Sequence, residues 1–255
     1  MKKIIVLALS LAGICAYAQP KGSISSCTLK EIESSYKGTS ADKAIRNALN
    51  TTSMTVLAEN AENAAMIDTN FSDRVRTVGI TDQKSSGRCW LFTGLNVLRA
   101  AAIDKYDLGD FQFSQAYCFF WDQLEKANLF LQAVIDTRDL PFESREVDWL
   151  FSNPISDGGT FTGVADLVTK YGLVPSNVMP ESYIANSTSA MATQLRTLLR
   201  KDGLELRGEL SGVKKKDVPA KLESMKVEML KDVYRVLALS FGVPPKEFEW
   251  NGKTY

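Results

Sequence analysis

The chain contains no histidine among its 255 residues. A nucleophilic cysteine or serine in it therefore has no imidazole base within the same chain. Lys+Arg and Asp+Glu are balanced at 30 each, so the excess of positive charge typical of nucleic-acid-binding proteins is lacking. None of its four cysteines stands in Cys-x-x-Cys spacing, and internal repeats are missing. These absences argue against a disulfide scaffold, a repeat protein and a nucleic-acid partner, and nothing suggests a metal or organic cofactor.

Residues 1–18 have the features of a cleaved secretory signal peptide. A basic start, "MKK", precedes the apolar run "IIVLALSLAGIC", and "AYA" gives the small-x-small pattern before Gln19. The apolar run is shorter than the roughly 20 residues that a membrane anchor needs. A lipoprotein signal at Cys15 is a second alternative, but Ile14 is larger than the residue that normally precedes a lipidated cysteine. We expect export to the periplasm or beyond, without a stable membrane anchor.

The mature chain then begins with a polar N-terminal arm, residues 19–39. Its formal charge is 28 − 30 = −2, because cleavage removes Lys2 and Lys3. We expect Ser40 to cap a helix over "ADKAIRNALN", and helical character to continue through "MTVLAENAENAAMI". Residues 68–83 have strand and loop character. Apolar content of 45% is enough for a sizeable core.

Helical patterns dominate the remainder. A buried helix begins at or just after Cys89, and Ser114 caps a longer helix whose stripe of Tyr117, Phe120, Trp121 and Leu124 is typical of a core face. Thr162 is the expected cap of a helix that Gly172 ends. Two amphipathic helices follow between residues 187 and 241. Phe248 and Trp250 alternate with charged residues, as in a strand.

The stretch "TDQKSSGRCW" presents Cys89 as a candidate nucleophile. Free thiols are mostly protonated at neutral pH, and a helix N-terminus favours the thiolate. Gln83 can donate a side-chain N–H to a developing oxyanion, and the Cys89 backbone N–H can donate a second. Gly87 permits a tight turn, and Arg88 adds a nearby cation. A free cysteine is more often a small buried hydrophobe, but Gln83, the Ser/Gly turn and Trp90 together favour the nucleophile.

The stretch "QKSSGRCWLF" resembles the bleomycin hydrolase and aminopeptidase C branch of the papain-like cysteine peptidases. The stretches "FSQAYCFFWDQLEKANLFL", "NPISDGGTFTGVADLVTKYGLVP", "PESY" and "GVPPKEFEW" resemble the same branch, in the same order. The resemblance runs from about residue 40 to the last residue. Ser86 stands where many secreted papain-like enzymes have a cysteine, so their disulfide at that point is absent.

The resemblance implies a papain-like α+β fold. Residues 40–255 would form its helical N-terminal domain, with a helical insertion at about 187–241. Cys89 matches the nucleophile and Gln83 the oxyanion-hole glutamine. Gly158 and Gly159 match the glycine pair whose backbone pairs with a bound peptide, although a plain turn is the alternative for them. Cys118 is expected in the core, and Cys27 has no assigned role.

The resemblance also implies what this sequence does not contain. In the family, the catalytic histidine and asparagine belong to a β-rich domain in the second half of the chain, which we expect to be missing here. The family hydrolyses peptides as an aminopeptidase and assembles as a hexamer. One hypothesis is therefore an incomplete, exported thiol aminopeptidase that is inactive by itself. The alternative is a catalytically dead protein that binds peptides or a partner, and a thiol redox protein using Cys27, Cys89 and Cys118 is weaker still.

Processing of the exported protein is directly testable. N-terminal sequencing of the protein from its source cells should give Gln19 as the first residue, because signal peptidases cut after the small-x-small pattern. A first residue of Met1, or a lipid on Cys15, would contradict this prediction.

Overall fold

A computed structural model describes residues 22–75, 78–208 and 210–255 of the chain. The predicted signal peptide and its cleavage site lie outside these residues. The described part is mainly helical, with one small antiparallel sheet. Within it, no helix is both long enough and apolar enough to cross a membrane.

The secondary structure elements follow one another in a simple order. The helices are α1 Ser26–Ser35, α2 Ser40–Leu49, α3 Met54–Leu57, α4 Ala61–Ala65, α5 Cys89–Tyr106, α6 Gln115–Asp136, α7 Arg145–Ser152, α8 Phe161–Tyr171, α9 Ser189–Arg207 and α10 Val218–Phe241. A 3₁₀ turn, Lys215–Asp217, precedes α10. Strands β1 Glu249–Trp250 and β2 Lys253–Thr254 form an antiparallel hairpin.

The chain divides into two compact units, of which the first ends at Ser72. Its four helices contain no buried residue. Helix α1 falls within the predicted arm and is capped by the Ser25 hydroxyl, which accepts from the Thr28 N–H at 3.1 Å. Helix α2 begins at Ser40, but its cap is Thr39 rather than the predicted Ser40. Thr39 and Asp42 form a capping box, in which each side chain bonds the other's backbone N–H.

Strand and loop character was expected for residues 68–83, and the strand part of this prediction is wrong for the described residues of that stretch. Two polar groups of this stretch, on Val78 and Thr81, bond to side chains of α5. The Arg99 guanidinium donates to the Val78 carbonyl oxygen, and the Asn96 amide donates to the Thr81 hydroxyl at 2.6 Å. A helix side chain thus satisfies the Val78 backbone carbonyl, which a neighbouring strand would otherwise bond.

The second unit spans Asp73–Tyr255 and has its core around α6. Phe119, Phe120 and Leu131 of this helix are completely buried. The predicted stripe is confirmed as core: Tyr117 and Phe120 are buried, and Trp121 and Leu124 pack against the same cluster. The Trp121 ring also stacks on Tyr171 of α8, with centroids 4.3 Å apart. Residues of α8, α9 and α10 complete the cluster.

Helix α5 begins at Cys89, as predicted. Leu91 and Leu95 bury one side of the helix in the core. The helix ends at Tyr106, and the following residue, Asp107, has a left-handed φ of 49°. The Ser114 cap of α6 is also confirmed, since its hydroxyl accepts from the Tyr117 N–H at 3.0 Å. Buried leucines therefore anchor the start of α5 in the core, while Cys89 itself is exposed.

The other predicted boundaries are close to those observed. Helix α8 starts after Thr160 rather than Thr162. It ends at Tyr171, before the predicted Gly172, whose φ of 75° favours glycine. The two helices expected between residues 187 and 241 are α9 and α10, and the expected strand is β1 of the hairpin. Helix α7 was not predicted, because its eight residues offer too short a periodic pattern.

A buried carboxyl on α9 makes stability depend on pH. Asp202 is 2% exposed, and burial raises the pKa of its carboxyl from 3.8 to about 6, with repulsion from Glu205 and Asp232 opposing the attraction of Lys201. The folded state therefore holds a proton that the unfolded chain releases, and this stabilisation is lost as the pH rises through about 6. We expect Asp202→Asn to raise the thermal unfolding midpoint above that of the wild type at neutral pH but hardly at about pH 4.

Thermal unfolding followed by circular dichroism at both pH values measures this difference. Asp104→Asn, which changes an exposed carboxylate on α5, is the matched control. An equal effect of Asp202→Asn at both pH values would contradict the prediction.

Candidate active site

Cys89 is the first residue of α5, and its side chain is exposed. The N-cap residue, Arg88, makes no side-chain capping bond, while its carbonyl oxygen accepts from the N–H groups of Leu91 and Phe92 at 3.0 Å each. Within the described part of the chain, the N–H groups of Cys89 and Trp90 have no recorded acceptor. Unsatisfied N–H groups at a helix start attract negative charge. The thiol therefore lies at a point suited to a thiolate or an oxyanion.

The turn before Cys89 is closed by its own hydrogen bonds. The Gln83 side-chain amide donates to the Ser86 carbonyl oxygen at 2.7 Å, and the Ser86 hydroxyl donates to the Gln83 carbonyl oxygen at 2.6 Å. The Arg88 Nε donates to the same hydroxyl at 2.9 Å. These bonds fix the backbone and the side chain of Gln83 together. Its amide retains a second N–H, since an NH₂ group has two donors.

The Arg88 guanidinium is completely buried and paired with a distant carboxylate. Its two terminal nitrogens donate to Glu181 at 3.0 and 2.7 Å, and it lies over the rings of Phe92 and Phe119. Arg88 was expected to act as a cation that favours the Cys89 thiolate. The structure instead balances its charge with Glu181, so Arg88 anchors the turn.

An open depression of about 460 Å³ brings Gln83 and Cys89 together. Its lining residues are Ile80, Thr81, Asp82, Gln83, Cys89, Phe92, Thr93 and Asn96. The Asn96 side chain lines this depression. Its buried Oδ1 has no hydrogen-bond partner within the described residues, while its Nδ2 donates to the Thr81 hydroxyl. The depression thus combines a thiol with amide groups able to bind a polar atom.

The loop with the paired glycines meets the start of α5 from another direction. The Trp90 indole N–H donates to the Asp157 carbonyl oxygen at 2.7 Å. A Cβ on Gly159 would lie 2.6 Å from the Trp90 ring, and a Cβ on Gly87 would lie 2.5 Å from the Asp157 Cβ. Both approaches are closer than real Cβ contacts allow, so each position requires glycine. The cysteine turn and the glycine loop are in direct contact.

Gly158 differs from Gly159 in what surrounds it. A Cβ on Gly158 would meet no atom within 4 Å, so this residue faces open space. Its carbonyl oxygen accepts from the Lys126 Nζ at 2.6 Å. The pair therefore has one residue packed on Trp90 and one residue beside a free surface.

The three cysteines described have different environments. Cys27 and Cys89 are exposed, and no disulfide joins any two of the three. Cys118 is 2% exposed, and burial raises the pKa of its thiol to about 12. Its predicted core position is confirmed, and at neutral pH it remains protonated. Among the described residues, no cluster of Cys, Asp and Glu side chains suits a metal ion.

Sequence reasoning did not identify several residues that build the site. Glu181 lies in the quoted "PESY" stretch, but its bond to Arg88 spans 93 positions and has no local signal. Lys126 and Asp122 are spaced i, i+4 on α6, which indicates an ion pair but not its contact with the glycine loop. The site offers a nucleophile and hydrogen-bond donors, and the chain has no histidine to serve as a base.

The chain is similar to known proteins over most of its length. Residues 23–254 match the Peptidase C1-like family. "Aminopeptidase C" of Lactobacillus helveticus is 44% identical over 193 residues, which is 76% of this chain and 42% of that protein. "Bleomycin hydrolase" of Homo sapiens is 39% identical over 174 residues, which is 67% of this chain and 37% of that protein.

A solved structure is also similar over most of the chain. The crystal structure of PepW from Lactobacillus rhamnosis has a TM-score of 0.76 and 34% sequence identity, and the match covers 92% of this chain and 53% of that chain. The chain spans about half the length of the curated relatives that it matches.

The two glycines are expected to respond differently to the same substitution. Gly159→Ala should lower the free energy of unfolding by about 1–3 kcal/mol, because the new methyl group overlaps the Trp90 ring. Gly158→Ala should change it by less than about 1 kcal/mol, since its Cβ enters open space. Urea denaturation followed by circular dichroism measures both variants, and equal effects would contradict the assigned packing.

Proposed function

The chain belongs to the Peptidase C1-like family, and we propose that it supplies the nucleophile side of a thiol peptidase site for aminopeptidase-like hydrolysis of peptides. The observation that carries this proposal is the exposed Cys89 thiol at a helix start, beside Gln83 in one depression. A buried structural cysteine, such as Cys118, has neither feature.

In the proposed reaction, Cys89 forms the covalent bond. Its thiolate sulfur attacks the carbonyl carbon of the scissile peptide bond, and the carbonyl π electrons move to the oxygen. The Cys89 N–H and the free N–H of Gln83 stabilise this oxyanion. Collapse releases the amine, which must take up a proton, and water then hydrolyses the thioester and frees the thiol. The turn hydrogen bonds around Ser86 keep the Gln83 donor in place before the substrate arrives.

The glycine loop is the proposed binding element for the substrate backbone. The open space beside Gly158 leaves room for an extended peptide, and loop N–H groups can bond to its carbonyl oxygens. Trp90 fixes the distance between this loop and Cys89 through its bond to Asp157 and its contact with Gly159.

The proposed reaction needs a general acid–base group beside the thiol, and these 255 residues contain no histidine to supply it. General acid–base catalysis contributes about 10²–10⁴-fold, and histidine is the usual group beside a thiol. We propose that the base comes from a part of the protein outside this sequence, so that this chain by itself is inactive. The family relatives of about twice its length support this proposal. We also propose that the protein acts after export, on the basis of residues 1–18 alone.

The absence of histidine favours a second candidate function. A protein that keeps the depression and the glycine loop but has no base would bind peptides or a partner without cleaving them. The two functions share the peptide site and differ in whether a base is ever present. The mass of the native protein distinguishes them.

Labelling with a peptide-based alkylating agent tests the peptide site. Glycyl-phenylalanyl chloromethyl ketone reacts when a thiolate sulfur displaces chloride. We expect saturable alkylation of Cys89, no such labelling in Cys89→Ala, and unchanged labelling in Cys27→Ala, which removes the other thiol that is exposed among the described residues. Mass spectrometry locates the adduct. Equal, non-saturable labelling of Cys27 and Cys89 would contradict the proposal.

The same label can be applied to the protein in its source cells. A labelled species well above 28.2 kDa would support the peptidase with a base outside this sequence. Loss of peptide hydrolysis by that species in Cys89→Ala is expected, and retained hydrolysis would contradict the role of Cys89. A labelled species slightly below 28.2 kDa would favour the non-catalytic alternative.

A further inference from the structure

Lys126 of α6 lies at the centre of the contacts that hold the glycine loop. Its Nζ donates to the carbonyl oxygens of Ser156 at 3.2 Å and Gly158 at 2.6 Å. It also donates to Asp122 Oδ2 at 2.7 Å and lies 5.3 Å from the centroid of the Trp90 ring. One ammonium group therefore joins the core helix, the loop and the residue next to Cys89.

Two side chains of the same helix keep this ammonium group in place. Gln123 is completely buried, and its Nε2 donates to Asp122 Oδ2 and to the Ser156 carbonyl oxygen, both at 3.0 Å. Burial raises the pKa of Asp122, and the charge of Lys126 opposes that rise. The Lys126 side chain is 25% exposed, while its partner Asp122 is 9% exposed.

The bond from Lys126 to Gly158 has a consequence for Gly159. The peptide bonds of the described residues are trans, so the N–H of Gly159 points opposite to the Gly158 carbonyl and away from Lys126. This N–H has no recorded acceptor in the part of the chain that the structure describes. A cation on the carbonyl oxygen polarises the peptide unit and strengthens the N–H as a donor.

We propose that Lys126 is the positioning residue of the substrate loop: it orients and polarises the Gly158–Gly159 peptide so that the Gly159 N–H bonds a backbone carbonyl of the bound peptide. This inference rests on the proposed function, because it assumes that a peptide binds at the loop. Lys126 itself touches the loop and not the reacting atoms. Its effect should therefore fall on peptide binding, and the chemistry at Cys89 should be unaffected.

Kinetics of alkylation separate these two effects. Glycyl-phenylalanyl chloromethyl ketone gives a dissociation constant, KI, and a maximal rate, kinact, whereas iodoacetamide reports the thiol alone. We expect Lys126→Met to raise KI about 10-fold, roughly the net value of one hydrogen bond, because the Gly159 N–H is then neither oriented nor polarised towards the peptide carbonyl. The value of kinact and the iodoacetamide rate should stay within about 2-fold of wild type. Lys126→Arg should restore most of the lost affinity.

Lys170→Met is the matched control, because Lys170 also pairs with a carboxylate of α6, Glu125, but is not bonded to the loop. Its KI should equal that of the wild type. Lys126→Gln, which keeps a polar end, serves if the Met variant does not fold, and it should also raise KI. The amide proton of Gly159 should move upfield in the NMR spectrum of either neutral variant.

The outcomes separate this inference from the function on which it rests. An unchanged KI in the neutral variants, with saturable labelling of the wild type, would overturn the role of Lys126 alone. A fall in kinact and in the iodoacetamide rate that parallels the change in KI would also overturn it, since the loss would then be general. A wild-type protein without saturable labelling would overturn the proposed function, and this inference with it.

Discussion

The buried guanidinium of Arg88 determines the position of the Cys89 thiol. Arg88 precedes Cys89, and its bonds to Glu181 and Ser86 hold the turn that carries Gln83. A buried charge is tolerated only when it is paired and fully bonded, so this turn has little freedom to take another conformation. Glu181 is 27% exposed on its side chain, which places the pair at the boundary between core and solvent. The position of the Cys89 nucleophile therefore depends on the ion pair between Arg88 and Glu181.

A second set of contacts positions the glycine loop near Cys89. Helix α6 contributes side chains both to these contacts and to those of Arg88. Phe119 of α6 lies under the Arg88 guanidinium, and Lys126, two turns further along, holds the glycine loop. Trp90 then connects that loop to the start of α5. Because α6 is the most deeply buried helix of the core, its side chains do not shift independently. The oxyanion donors and the proposed peptide-binding loop are thus both positioned by α6.

Helix starts could be predicted from the sequence, whereas contacts between residues far apart in the chain could not. The helix starts at Cys89 and after Ser114 follow from residue types within one turn, and both were predicted correctly. The cationic role expected for Arg88 depended on a partner 93 positions away, which spacing cannot reveal. Val75, Val78 and Ile80 favoured an extended strand within residues 68–83, but the Arg99 side chain of α5 bonds the Val78 carbonyl that a neighbouring strand would pair. Resemblance to a family located Gly158 and Gly159, and only the structure distinguishes their surroundings.

The buried thiol of Cys118 can report local opening of the core. It lies in the middle of the core on α6, and alkylating agents can reach it only when that helix separates from its neighbours. The ratio of its labelling rate to that of an unfolded thiol would equal the equilibrium constant for such an excursion when closing is fast. Cys89, at the surface, would be labelled without any opening. Two thiols of one chain can thus report accessibility of the site and local opening of the core at the same time.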